Sequence, residues 1–282
     1  MTRDKAKLSR ARTGASWRPE FRPAGAATSG QNLVREKAPV FRRAASGVAV
    51  LYGFHAVREA LRGKQRKLLD IYATEAAARR LEGEIAGAGL RPLIVEAEDL
   101  ARRLGAGAVH QGVMLEALPL LTLDLSDIVS RSGIVLVLDQ ITDPHNVGAI
   151  LRTAAAFGVD AVVVTHRHAP EMAGVVAKAA SGGLEHVAIV RVVNLARALE
   201  ELGEMGYLRL GLDSEAEQNL AQTPLRRPLA LVLGGEGKGL RRLSRENCDF
   251  LVRLDLPGAI KSLNVSNACT VALTLLQAAP AG

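Results

Sequence analysis

Aromatic residues are scarce in this chain: one Trp, three Tyr and five Phe in 282 residues, 3% in all. The 48% apolar fraction still supports a sizeable core, which must be built from Val, Leu, Ile and Ala. Such a core favours parallel sheet under helices over a sandwich. Cysteine is nearly absent too. Cys248 and Cys269 make neither a disulfide framework nor zinc spacing, which points to a reduced, cytoplasmic setting. No apolar run reaches about 18 residues, which argues against a membrane span. No apolar segment follows the basic N-terminus, as a secretory signal would require. A GxSxG elbow and a Cys-His pair are missing, so a hydrolase has no support. His166 and His168 flank Arg167 with no third ligand at metal spacing.

Acidic residues are few at one end only. Residues 1–46 hold eleven Lys and Arg against three Asp and Glu, which leaves 25 basic and 26 acidic residues for positions 47–282. The formal net charge of +7 is thus the tail's. A tail of this kind attracts a polyanion through counterion release without reading its sequence, or serves only as a solubilising end. Its composition, rich in Arg, Ala, Gly and Pro and without a period, reads as disordered. Trp17, Phe21 and Phe41 fall there, available either to stack on bases or to pack on the body.

Beyond the tail, strands alternate with helices. Residues 47–118 form a compact first unit: a strand ending at Tyr52, a helix over 54–61, strands in "KLLDIYAT", "RPLIVEA" and "GVMLEAL", and helices in "EAAARRLEGEIAGAG" and "EDLARRLG". Residues 119–131 read as a linker. In the second unit, 132–282, strands are expected at 133–139, 160–165, 186–192, 207–213, 229–234 and 250–255. Helices are expected at 147–157, 171–180, 194–205, 238–243 and 264–278. Unbroken apolar strands such as "GIVLVLD" and "LALVLGG" belong in a parallel sheet covered on both faces. Ligands bind such sheets beyond the carboxyl ends of the strands, which brings together the loops 139–146, 234–239 and 256–264.

Each loop carries polar groups. In "DQITDPHNVG", Asn146 stands where a helix N-cap belongs, and Arg152 follows six residues later, as a site residue or an ordinary surface charge. In "LVLGGEGKGL", four glycines bracket Glu236 and Lys238 and permit close approach to the backbone. The spacing is neither a Walker loop nor the dinucleotide fingerprint. In "LDLPGAIKSLNVSNA", Ser262, Asn264, Ser266 and Asn267 crowd a helix entrance beyond what capping requires.

Taken together and in this order, "DPHNVGAILRTAAAFG", "LVLGGEGKGL" and "LDLPGAIKSLNVSNA" resemble the three motifs of the SpoU/TrmH family of RNA ribose 2′-O-methyltransferases. "SGGLEHVAIVRVVNLARAL" and "VLYGFHAVREALRG…VHQGV" resemble the bacterial subgroup that methylates a guanosine ribose in 23S rRNA. The likeness spans about residues 48–278 and omits the tail. Asn267 departs from it, standing where the family often has a small apolar residue.

The resemblance implies an α/β fold. Its mostly parallel C-terminal sheet is trefoil-knotted and covered by helices on both faces, and a small α/β substrate-binding domain precedes it. S-adenosylmethionine is the implied methyl donor, RNA the partner, with no metal and no membrane. Motif matching implies that Arg152 contacts the target nucleotide, with Asn146, Ser262 and Asn264 as polar positioners and Glu236 orienting them or the RNA. Gly234, Gly235, Leu254, Leu256 and Leu263 are implied to hold the donor. A homodimer with sites near the subunit boundary is implied as well, and the apolar C-terminal helix would serve its interface or the core. The rivals are a tRNA ribose as substrate, an inactive RNA-binding assembly factor of the same fold, and a nucleotide-dependent oxidoreductase, which the missing fingerprint disfavours.

Overall fold

The computed structural model describes Phe41 and residues 47–278; the rest of the basic tail, with Trp17 and Phe21, lies outside the described residues. A small sheet comes first, from β1 (Ala49–Tyr52), β2 (Leu68–Ala73), β3 (Pro92–Ile94) and β4 (Val113–Ala117), in the order β1-β4-β2-β3. β4 is antiparallel to both neighbours, and β2 and β3 are parallel. Helices α1 (Phe54–Arg62), α2 (Glu75–Arg80), α3 (Glu82–Gly87) and α4 (Ala97–Leu104) connect them. The single helix expected across "EAAARRLEGEIAGAG" is thus two, broken where Leu81 leaves the helical region at φ −111°, ψ 11° to bury its side chain. Of the tail aromatics, Phe41 packs on the body, its ring 5.0 Å from that of Tyr72.

Residues 119–131 carry a short 3₁₀ turn, Leu125–Asp127, and Leu123 bridges to Val190. The large sheet is built from β5 (Ile134–Asp139), β6 (Ala161–Thr165), β7 (Ala188–Val192), β8 (Leu208–Leu212), β9 (Gln218–Asn219), β10 (Leu229–Gly234) and β11 (Phe250–Arg253). Its seven strands are all parallel, in the order β7-β6-β5-β10-β8-β11-β9. The helices are α5 (Pro144–Ala156), α6 (Gly174–Ala180), α7 (Leu195–Glu204), α8 (Arg242–Glu246) and α9 (Val265–Ala278). The two-residue β9 was not expected, being too short and polar to carry a strand period.

The unbroken apolar strands are buried on both faces. Ile134, Leu136 and Leu138 of β5, with Leu229, Leu231 and Leu233 of β10, point into one cluster with α5, α6 and α9. Val135, Val137, Ala230 and Val232 point the other way, against Leu195, Ala198, Leu199 and Leu202 of α7. The first cluster continues without a break into Leu51, Val57, Leu61 and Ile71 of the small-sheet part. The chain leaves β5 toward β6 on one side and β10 toward β11 on the other, so the loops after these two neighbouring strands open at a topological switch point.

Candidate active site

Three loops meet beyond the carboxyl ends of β5, β10 and β11. Asp143, not Asn146, caps α5: its Oδ1 accepts from the His145 N–H at 3.0 Å, and Pro144 opens the helix where no donor is needed. Asn146 is therefore inside the first turn, 7% exposed, and free to do something else. Its Nδ2 donates to Glu236 Oε1 at 2.8 Å. Asn264 Nδ2 donates to the same oxygen at 2.6 Å and to Asn146 Oδ1 at 3.0 Å. Meanwhile Asn264 Oδ1 accepts from the N–H and hydroxyl of Ser266, at 2.9 and 2.6 Å, which fixes the entrance of α9. Three side chains from three loops thus form one closed hydrogen-bonded triangle around a carboxylate.

The glycine loop is held in place by groups that the sequence did not single out. The Asp139 carboxylate, fully buried at the end of β5, accepts from the Arg241 backbone N–H at 2.9 Å and from its Nε at 2.5 Å. The Asp139 carbonyl accepts from Gly235 N–H at 2.9 Å, and Gly235 in turn accepts from Gly239 N–H at 3.0 Å. A side chain at Gly235 would put Cβ 2.6 Å from the Gln140 carbonyl oxygen, and one at Gly234 would strike the Gly239 backbone. The loop closes on itself as far as Gly239, so the helix expected over 238–243 starts only at Arg242. A carboxylate ending the all-apolar "GIVLVLD" was the available signal for Asp139.

Beside this triangle lies a cleft of about 340 Å³. Gly234, Gly235, Glu236, Leu254, Leu256, Ser262 and Leu263 all line it, so every residue assigned to the donor and two of the polar group come together. Leu212, Asp213 and Ser214 at the end of β8, together with Lys261, also line it, and sequence reasoning missed them. Lys261 Nζ donates to the Leu256 carbonyl at 2.7 Å, and Asp213 is paired with Arg245. Leucine walls, a polar rim and this volume suit a nucleoside-sized ligand with one apolar face.

Arg152 stands apart. Six residues beyond Asn146 on α5, it lies roughly 9 Å further along the axis and about 240° around it. It is exposed and lines a separate groove with Glu59, Ser181, Gly183 and His186. One chain therefore joins Asn146, Glu236 and Asn264 but does not bring Arg152 to them.

Comparison with known proteins identifies the family. The profile described as the SpoU rRNA Methylase family matches residues 133–274, and one described as RNA 2′-O ribose methyltransferase substrate binding matches residues 50–121. The 23S rRNA (guanosine-2′-O-)-methyltransferase RlmB of Pseudomonas putida is 41% identical over 231 residues, covering 79% of this chain and 93% of its own. That of Ralstonia nicotianae is 43% identical over 232 residues, with the same coverages. The SpoU methyltransferase AviRb from Streptomyces viridochromogenes, solved in complex with the cofactor AdoMet, shares the fold, with a TM-score of 0.69 at 23% identity over 84% of this chain and 92% of that one. By its own motifs and by its relatives, the chain belongs to the SpoU rRNA methylase family.

Proposed function

We propose that this chain transfers a methyl group from S-adenosylmethionine to the 2′-hydroxyl of a guanosine ribose in 23S rRNA. The observation that carries the reading is the Asn146–Glu236–Asn264 triangle at the rim of a leucine-walled cleft. RlmB relatives at 41% and 43% identity support 23S rRNA over tRNA, and an AdoMet complex of the same fold supports the donor. An inactive binding factor has no use for a closed polar triangle beside a donor-sized cleft.

Gly234, Gly235, Leu254, Leu256 and Leu263 hold the donor, which supplies an electrophilic methyl on a sulfonium sulfur. Asn146, Glu236 and Asn264 fix the shape of the rim, and Ser262 adds a hydroxyl to it. Arg152 orients the target hydroxyl or its phosphate. A guanidinium stays protonated in proteins and does not serve as a base. Its task is alignment for in-line transfer and neutralisation of charge on the oxygen. Residues 132–282 make up the catalytic domain, read as trefoil-knotted around the cleft. Residues 47–118 form the RNA-binding domain, 119–131 the linker, and the enzyme works in the cytoplasm where its RNA is made.

Arg152 lines a groove separate from the cleft, and a second copy would bring the two together. In the homodimer, Arg152 of one chain serves the cleft of its partner. The test is complementation. Arg152→Ala and Asn264→Ala are each expected to be inactive alone, while their co-expressed mixture regains about a quarter of wild-type turnover, the share of intact sites in randomly paired dimers. An inactive mixture of confirmed heterodimers would show that both groups act within one chain, and full activity of Arg152→Ala alone would remove it from the mechanism.

A further inference from the structure

Arg66 sits in the loop between α1 and β2, in the segment matched by the substrate-binding profile. Its side chain is fully buried. Its Nε and Nη2 donate to the two carboxylate oxygens of Glu185, at 3.1 and 2.6 Å, and the Glu185 side chain is itself only 3% exposed. Glu185 belongs to the 3₁₀ turn Gly183–Glu185 of the methylase part. Two further ties cross the same boundary. His186 Nε2 meets Glu59 Oε2 at 3.2 Å, and Lys178 Nζ donates to Gln111 Oε1 at 2.5 Å, an oxygen that also accepts the Phe54 N–H.

The turn that Arg66 grips lies directly on the backbone of Arg152. A Cβ at Gly183 would fall 2.8 Å from the Leu151 carbonyl oxygen and 2.9 Å from Arg152 Cα. At Gly182, with φ +98°, a Cβ would strike the Glu59 side chain of α1. Two adjacent glycines therefore let α1 on one side and α5 on the other close on a single strip of backbone. The groove that Arg152 lines is bounded by both, through Glu59, Gly182 and Gly183.

We propose that Arg66, Glu185 and the Gly182–Gly183 strip are positioning residues for Arg152, locking the RNA-binding sheet to the helix turn that presents the guanidinium. The inference rests on the assignment of Arg152 to the target nucleotide. RNA held by the small sheet then reaches Arg152 at a fixed offset, with no search by a tethered module. Buried ion pairs are poor stabilisers, since well-packed apolar replacements are often neutral or better, and Arg66 Nη1 makes no hydrogen bond among the described residues. What the bidentate pair supplies and an apolar pair lacks is orientation.

The test separates orientation from stability. Arg66→Met leaves a buried carboxylate unpaired and is expected to lower the melting temperature. The double variant Arg66→Met/Glu185→Met removes both charges and is expected to recover it. Turnover of 23S transcript by the double variant should nevertheless stay down, on the order of 10–100-fold in kcat, as for a reacting group misplaced by about 1 Å. Calorimetric affinity for S-adenosylmethionine should match wild type. Gly183→Ala should give the same signature, low kcat with the donor affinity kept. Wild-type kcat in a refolded double variant would overturn the inference and mark the pair as structural. If Arg152→Ala were itself fully active, the underlying assignment would fall instead.

Discussion

Asn264 does two jobs with one amide. Its oxygen caps α9 through Ser266, and its nitrogen completes the triangle with Glu236 and Asn146. This economy explains why capping rules alone misread Asn146. Asp143 had already taken the cap, which left Asn146 available for Glu236. Pattern alone left Asn146, Glu236 and Asn264 open to capping or turn roles, and it was the resemblance of the three motifs that named them as a site. For Asp139 the sequence offered only its place at the end of an apolar strand, and its partner Arg241 lies 102 residues away. The two cysteines are inert by environment. Burial pushes both thiols up to about 12, and Cys248 Sγ also donates to the Ser244 carbonyl. A thiol so raised carries almost no thiolate near neutrality. Iodoacetamide at pH 8 is therefore expected to label neither cysteine in the native protein and both after denaturation. Native labelling of Cys248, read by mass spectrometry, would contradict that account of its surroundings.

At the scale of elements, central strands were the most legible because their sequences admit one burial pattern. β10 alternates Leu into one core cluster and Ala or Val into the other, and it lies between β5 and β8. Leu231, with no exposed surface, should cost about 2–5 kcal/mol on truncation to Ala. Leu243 on the surface of α8, 51% exposed, should change stability by less than about 0.5 kcal/mol. Urea unfolding of the two variants measures the contrast, and equal midpoints would show that the β10 core is not where stability resides. Short elements were less legible. The helical pattern breaks at Leu81, whose side chain is buried, two residues before Gly83, a poor helix former. α8 begins four residues later than its pattern suggests, since Gly235 and Gly239 close the loop first and Asp139 pins Arg241.

For the whole molecule, alternation of strands and helices announced a parallel sheet, but not its order. That β10 inserts between β5 and β8 is decided by which apolar faces can be covered together, a long-range property that no local period carries. The same holds for the docking of the small sheet. Arg66 and Glu185 are 119 residues apart, and nothing near either one marks it as half of a buried pair. Among the described residues, no helix is long and apolar enough to cross a membrane. The charge balance leaves the body nearly neutral and the tail basic, which suits a polyanionic partner held by the tail and aligned by the small sheet. The most direct test of the central claim offers the full chain labelled S-adenosylmethionine with two unmodified RNAs, a 23S peptidyl-transferase-region transcript and a tRNA pool. The account predicts label on a single guanosine ribose of the 23S transcript and none on tRNA; label confined to tRNA, or none on either RNA while the donor binds, would contradict it.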